Sequence, residues 1–115
     1  MPRDAEYLQE ILDAIDSIQA VVAFADFDRV MRTRYLQSAL LHELTVIGEA
    51  CDRLPDTLHA RYPDIPWADI IGLRHIIVHG YFVIDWERLW MTVTTRVPEL
   101  RPRIVAVLTA EYSDG

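Results

Sequence analysis

The segment Arg74-His75-Ile76-Ile77-Val78-His79-Gly80-Tyr81 gathers an arginine, two histidines and a tyrosine into otherwise apolar sequence. Such a set can bind and cleave a phosphodiester. An imidazole that titrates near neutrality moves a proton as general base or general acid. A planar guanidinium donates paired hydrogen bonds to phosphate oxygens and stabilises the charge that develops on them. On an α-helix His75 and His79, at i and i+4, share a face. Arg74 lies well round from His79, yet its side chain is long enough to reach a phosphate held there. His79 falls in the last turn, where the negative end of the helix dipole favours a protonated imidazole. Gly80 permits a positive φ that turns Tyr81 back toward the same region.

Each residue also has a purely structural reading. A histidine in a last helical turn commonly caps free carbonyls. His75 fits a satisfied surface or interface position, Arg74 an ion pair, and Tyr81 a core aromatic with a solvated hydroxyl. Their coincidence within one short segment favours chemistry.

The elements that must position these residues are all helical. Tyr7, Leu8, Ile11, Leu12, Ile15, Ile18 and Val22 recur at three- and four-residue spacing, which predicts a first helix from about Asp4 to Ala23 with Asp4 as N-cap. After a break around Ala25-Asp26, a second helix or pair of helices carries Val30, Leu36, Leu40, Leu44, Ile47, Cys51 and Leu54 to a stop before Pro55. Gly48 and Ala50 suit close approach, either inside one bundle or between two subunits. Asp56 to Arg61 reads as a short helix closed by Tyr62-Pro63-Asp64. The motif helix then runs from Pro66 to Val78 and stops at Gly80. Asp85 is placed to cap a last long helix bearing Trp86, Leu89, Trp90, Val93 and Val97, with Pro98 expected to kink or restart it before Leu100, Ile104, Val105 and Leu108. Trp86 and Trp90, four residues apart, fit a core or dimer contact better than a nucleobase platform.

Arg74-x4-His79-x-Tyr81 resembles the Arg-x4-His-x-Tyr motif of HepT-like toxins in the HEPN superfamily of helical ribonucleases. Further blocks in the same order carry the likeness: Ile47-Gly48-Glu49-Ala50, Arg61-Tyr62-Pro63, Ile65-Pro66-Trp67, Ile70-Ile71-Gly72-Leu73-Arg74 and His79-Gly80-Tyr81-Phe82. Arg3-Asp4 and Tyr7-Leu8 at one end, and Trp90, Thr92-Val93 and Pro98-Glu99-Leu100 at the other, extend it over almost the whole chain. The resemblance implies an all-α, HEPN-like up-and-down helical bundle that forms a homodimer. It also implies a metal-independent endoribonuclease with no cofactor, in which Arg74 and His79 of both chains meet in one composite site. Tyr81 then matches the tyrosine to which an MntA-type nucleotidyltransferase antitoxin transfers AMP, as in type VII-like toxin–antitoxin pairs. Such relatives usually carry Asn after the motif arginine, so His75 is a departure. It places a titrating group at a supporting, substrate-positioning site.

Composition narrows the alternatives. The 115 residues are 51% hydrophobic, enough for one core over 1–115 and too few for a second domain of ordinary size, about 100 to 150 residues. No apolar run approaches the roughly 18 to 20 residues that span a bilayer, and a cytoplasmic protein is expected. All 11 basic residues are arginine, which excludes a Schiff-base lysine and a Walker-type phosphate loop. Cys51 is the single cysteine, so neither an intrachain disulfide nor a cysteine metal cluster can form.

A net charge of −7 runs against general nucleic-acid binding and requires that arginines gather locally. Arg29, Arg32 and Arg34 form one such group, which reads as a solvated helix start unless the fold brings it beside His79. A zinc reading of His75-x3-His79 needs a third ligand from His42, His59, a remote carboxylate or a second subunit. The remaining alternative is a non-catalytic helical dimer that binds nucleotide or a protein partner through the same cleft.

Overall fold

The computed structural model describes residues 2–75 and 84–112, and every regular element among them is helical. Helix α1, Pro2–Phe24, turns Leu8, Ile11, Ile15 and Ile18 fully inward, the spacing that one buried helical face requires. It begins before Asp4. That residue therefore lies inside the first turn and does not cap the helix; its carboxylate accepts a 3.3 Å hydrogen bond from the Tyr112 hydroxyl.

The expected break falls at Ala25-Asp26. Asp26 caps the short helix α2, Phe27–Met31, by accepting the Arg29 amide at 2.9 Å. Helix α3, Arg34–Arg53, follows after two residues. The α2–α3 corner is closed by Gln37, whose Nε2 donates to the carbonyls of Val30 at 3.0 Å and Met31 at 3.1 Å. Leu36, Leu40, Leu44, Ile47 and Cys51 bury one face of α3 against α1. Leu54 leaves the helix with ψ 143°, the extended conformation that the following Pro55 ring enforces.

Helix α4, Asp56–Arg61, and helix α5, Trp67–Ile71, lie beyond that stop. His59 fastens this region to α3. Its Nε2 lies 2.9 Å from the Cys51 carbonyl oxygen, and its ring stacks on Trp67 with centroids 4.6 Å apart. The Trp67 indole in turn donates to the Tyr62 carbonyl at 3.0 Å. Cys51 is fully buried, and burial pushes its thiol up to about 12, as expected of an inert core cysteine.

Two further expectations need correction. The motif segment is not one uniform α-helix: after Ile71 the backbone tightens into a 3₁₀ turn, Gly72–Arg74. Gly72 sits at this change of winding, and its weak preference for the α-helix gives the regular ladder little local support there. The residues 76–83, including the expected end of the motif helix, lie outside the described part.

The second correction concerns the last helix. Helix α6, Trp86–Met91, is capped as expected by Asp85, which accepts the Arg88 amide at 3.1 Å. It widens into a π-helical segment at Thr92–Arg96 and continues as α7, Val97–Tyr112, so the irregularity precedes Pro98. Pro98 offers no N–H to the Thr94 carbonyl and its ring crowds that oxygen, and a wider turn relieves both constraints. Thr92 and Thr94 supply local donors instead, bonding the Arg88 carbonyl at 3.1 Å and the Trp90 carbonyl at 2.7 Å.

Helix α1 forms the spine of the bundle, with α3 on one side and α7 on the other. Trp86 and Trp90 are partly buried against the core, Trp90 meeting Phe27 edge-on at 5.9 Å. At the far end, Glu111 joins Arg61 at 2.7 Å and accepts the Tyr62 hydroxyl at 2.7 Å. The bond to Glu111 raises the Tyr62 hydroxyl above its ordinary pKa, while Arg61 chiefly lowers that of Glu111. No helix among the described residues is long and apolar enough to cross a membrane.

Candidate functional site

Arg74 ends the 3₁₀ turn that packs across α3 at Gly48. The fit is close. A Cβ at position 48 would stand 2.9 Å from the Arg74 backbone nitrogen, 3.1 Å from the Ile71 carbonyl oxygen and 3.2 Å from the Arg74 Cβ. Two of those atoms are backbone, so a side chain at 48 would have to push the turn away. Gly48 therefore serves packing inside the chain, which answers the question its small size raised.

That contact lays the Arg74 side chain along the next turn of α3. Its Nη1 is 2.6 Å from Asp52 Oδ2 and 3.6 Å from Glu49 Oε1. The carboxylates, three residues apart, present one acidic edge to the guanidinium. Only Nη1 is engaged with them, and no hydrogen bond joins Nε or Nη2 to another described residue. A planar guanidinium held by one nitrogen can still offer an edge of N–H donors to an anion. The Arg74 side chain is 29% exposed, so an anion can approach it.

His75 follows on the surface and closes the 3₁₀ turn, its amide donating to the Gly72 and Leu73 carbonyls. His79 and Tyr81 lie outside the described residues. The structure thus places the arginine half of the motif and the adjacent His75. His59, one candidate for a third zinc ligand, uses its Nε2 against Cys51 and its ring face against Trp67.

The Arg29, Arg32 and Arg34 group lies at the opposite end of α3. Arg34 starts that helix, about 21 Å along its axis from Gly48 at 1.5 Å per residue. Arg29 stacks over Phe24, 5.4 Å from the ring centroid, and Arg32 Nε bonds the Asp28 carbonyl at 3.2 Å. Structural roles account for both. Glu49 and Asp52 are the site residues that motif reading missed. Their own spacing carries no signal; they become site residues because the 3₁₀ turn packs across Gly48 beside them.

Comparison with known proteins identifies the family. The profile of the family described as "Ribonuclease HepT-like" matches residues 11–107, which include α1 from Ile11, all of α3 and Arg74. The chain belongs to the HepT-like ribonuclease family. A Thermococcus cleftensis protein named as a probable ribonuclease HepT is 31% identical over 96 residues, covering 84% of this chain and 87% of that protein. A protein of Methanocaldococcus jannaschii named as a candidate RNase is 28% identical, covering 88% and 93%. A similarly named protein of Caldanaerobacter subterraneus is 29% identical, covering 91% and 94%. No solved structure shows a significant match.

In this HepT-like chain the Arg74–Asp52 pair joins groups 29% and 46% exposed, where water screens the attraction. Asp52→Asn should therefore change the free energy of unfolding in urea by less than about 1 kcal/mol. A loss above about 3 kcal/mol would instead mark the pair as a buried structural bridge.

Proposed function

We propose that this chain is a metal-independent endoribonuclease and the toxin of a type VII-like HEPN toxin–antitoxin pair. Membership of the HepT-like family supports the ribonuclease class. The observation that carries the reading to particular residues is Arg74, fixed on α3 by one nitrogen, with its remaining donors unbonded among the described residues.

In this mechanism the ribose 2′-hydroxyl attacks the adjacent phosphorus and the 5′-oxygen leaves, so one proton is removed and another supplied. His79 acts as general base or acid. Arg74 stabilises the additional charge on the phosphorane-like transition state, and an arginine whose position is already set loses little freedom on binding. Asp52 and Glu49 hold the guanidinium, and His75 positions the substrate beside it. One imidazole does not conveniently serve both ends of an in-line displacement. A homodimer that brings Arg74 and His79 of two chains to one cleft supplies the second acid–base group.

The partner in this reading is an MntA-type nucleotidyltransferase antitoxin. The Tyr81 hydroxyl attacks the α-phosphate of ATP, pyrophosphate leaves, and the attached AMP places negative charge two residues from His79. That adduct blocks the cleft and repels RNA.

His79→Ala should lower cleavage of total RNA in EDTA by at least about 100-fold while helix content and dimer mass stay unchanged. Full activity in that variant would remove His79 from the mechanism, and loss of wild-type activity in EDTA would return the zinc reading. Mass spectrometry of the chain co-expressed with its antitoxin should find AMP on Tyr81. Neutralisation that persists in Tyr81→Phe would favour simple occlusion of the cleft.

A further inference from the structure

A groove of about 740 Å³ opens beside the Arg74 turn, walled by Gly72 and Leu73 on one side and by α6, the π-helical segment and α7 on the other. Its second wall carries two arginines, Arg88 and Arg96. No ion pair or hydrogen bond joins either guanidinium to another described residue. This distinguishes them from Arg61, Arg74 and Arg101, which are matched to carboxylates, and from Arg103, which bonds the Asp64 carbonyl. In a chain of net charge −7, the wall formed by α6, the π-helical segment and α7 contributes two arginines and no acid to the groove among the described residues.

The π-helical segment aligns them. In a regular α-helix, residues eight apart are rotated by roughly 80° beyond two full turns. The wider turn over Thr92–Arg96 advances by a smaller angle per residue and so reduces that offset. Arg88 and Arg96 then stand on one face, about 11 Å apart along the axis, and both face the same groove. The groove's two acids lie off this stretch, Asp85 as the cap that precedes α6 and Asp69 on the opposite α5 wall. An anionic polymer is therefore favoured along the α6–α7 wall.

We propose that Arg88 and Arg96 form a track for the phosphate backbone of single-stranded RNA flanking the phosphate held at Arg74. The inference rests on the ribonuclease reading for its choice of polymer and adds where the rest of the strand lies. The two arginines bind and orient substrate; they take no part in proton transfer.

The test is fluorescence anisotropy of a labelled single-stranded RNA with the full chain, which reads binding without requiring cleavage. Arg88→Gln/Arg96→Gln should weaken binding about tenfold or more and reduce the magnitude of the slope of log affinity against log salt by about 1.4, the value for two phosphate contacts on a single strand. Arg88→Lys/Arg96→Lys should recover most of the affinity, and Arg29→Gln/Arg32→Gln should leave it unchanged. In cleavage assays the Gln pair should raise KM with little change in kcat. Unchanged RNA affinity in the Gln pair overturns the proposal. If affinity holds while sedimentation shows a changed dimer, the groove is a face between copies; no RNA binding by the wild type also overturns the track. A wild type that binds RNA through these arginines but cuts none would sink the nuclease reading and leave the track standing.

Discussion

The close approach of the Gly72–Arg74 turn to Gly48 is the contact on which the rest of the site depends. Helices ordinarily keep 8 to 10 Å between axes because side chains stand between their backbones. With hydrogen in place of a side chain at 48, the motif backbone rests directly on α3, and Arg74 meets Asp52 and Glu49. The contact is itself braced. His59 holds the Cys51 carbonyl and stacks on Trp67 at the start of α5, so the segment that delivers Arg74 is fastened on both sides of Pro55.

Charge explains how an acidic protein can act on an acidic polymer. Among the described residues, several arginines are matched at the surface, Arg61 with Glu111 and Arg101 with Asp16 among them. Those pairs tie the bundle together at its corners and offer little to an anion. Arg74 is only partly matched, through one nitrogen, and Arg88 and Arg96 face the neighbouring groove. The net charge describes the whole surface, whereas a phosphate responds to the few groups within a Debye length of it, about 8 to 10 Å.

Much of the fold was legible because it follows from local rules. The apolar period of α1, the stop of α3 before Pro55, the Asp85 cap and the buried Cys51 each depend on a few neighbouring residues. The departures arose where two local rules compete. Gly72 lies inside an apolar helical pattern, yet the backbone there winds more tightly, and Pro98 acts on the turn before it through the Thr94 carbonyl. Asp4 looked like a cap, but the helix starts earlier. At the site, Arg74 was legible from the motif, whereas Glu49 and Asp52 were not. Their role depends on which part of the chain lies across Gly48, and that is a tertiary fact no spacing of their own reveals.

The central claim is that docking on Gly48 aims Arg74 at the scissile phosphate. Its most direct measurement is the single-turnover rate of RNA cleavage by Gly48→Ala, at a temperature where circular dichroism shows the variant folded, beside Gly72→Ala. A Cβ at 72 meets no described residue within 4 Å, whereas one at 48 meets the Arg74 backbone nitrogen at 2.9 Å. The account predicts that Gly72→Ala cleaves at the wild-type rate and that Gly48→Ala is slower by about tenfold or more, because small misplacements of a catalytic group carry large rate penalties. Wild-type cleavage by a folded Gly48→Ala would contradict it.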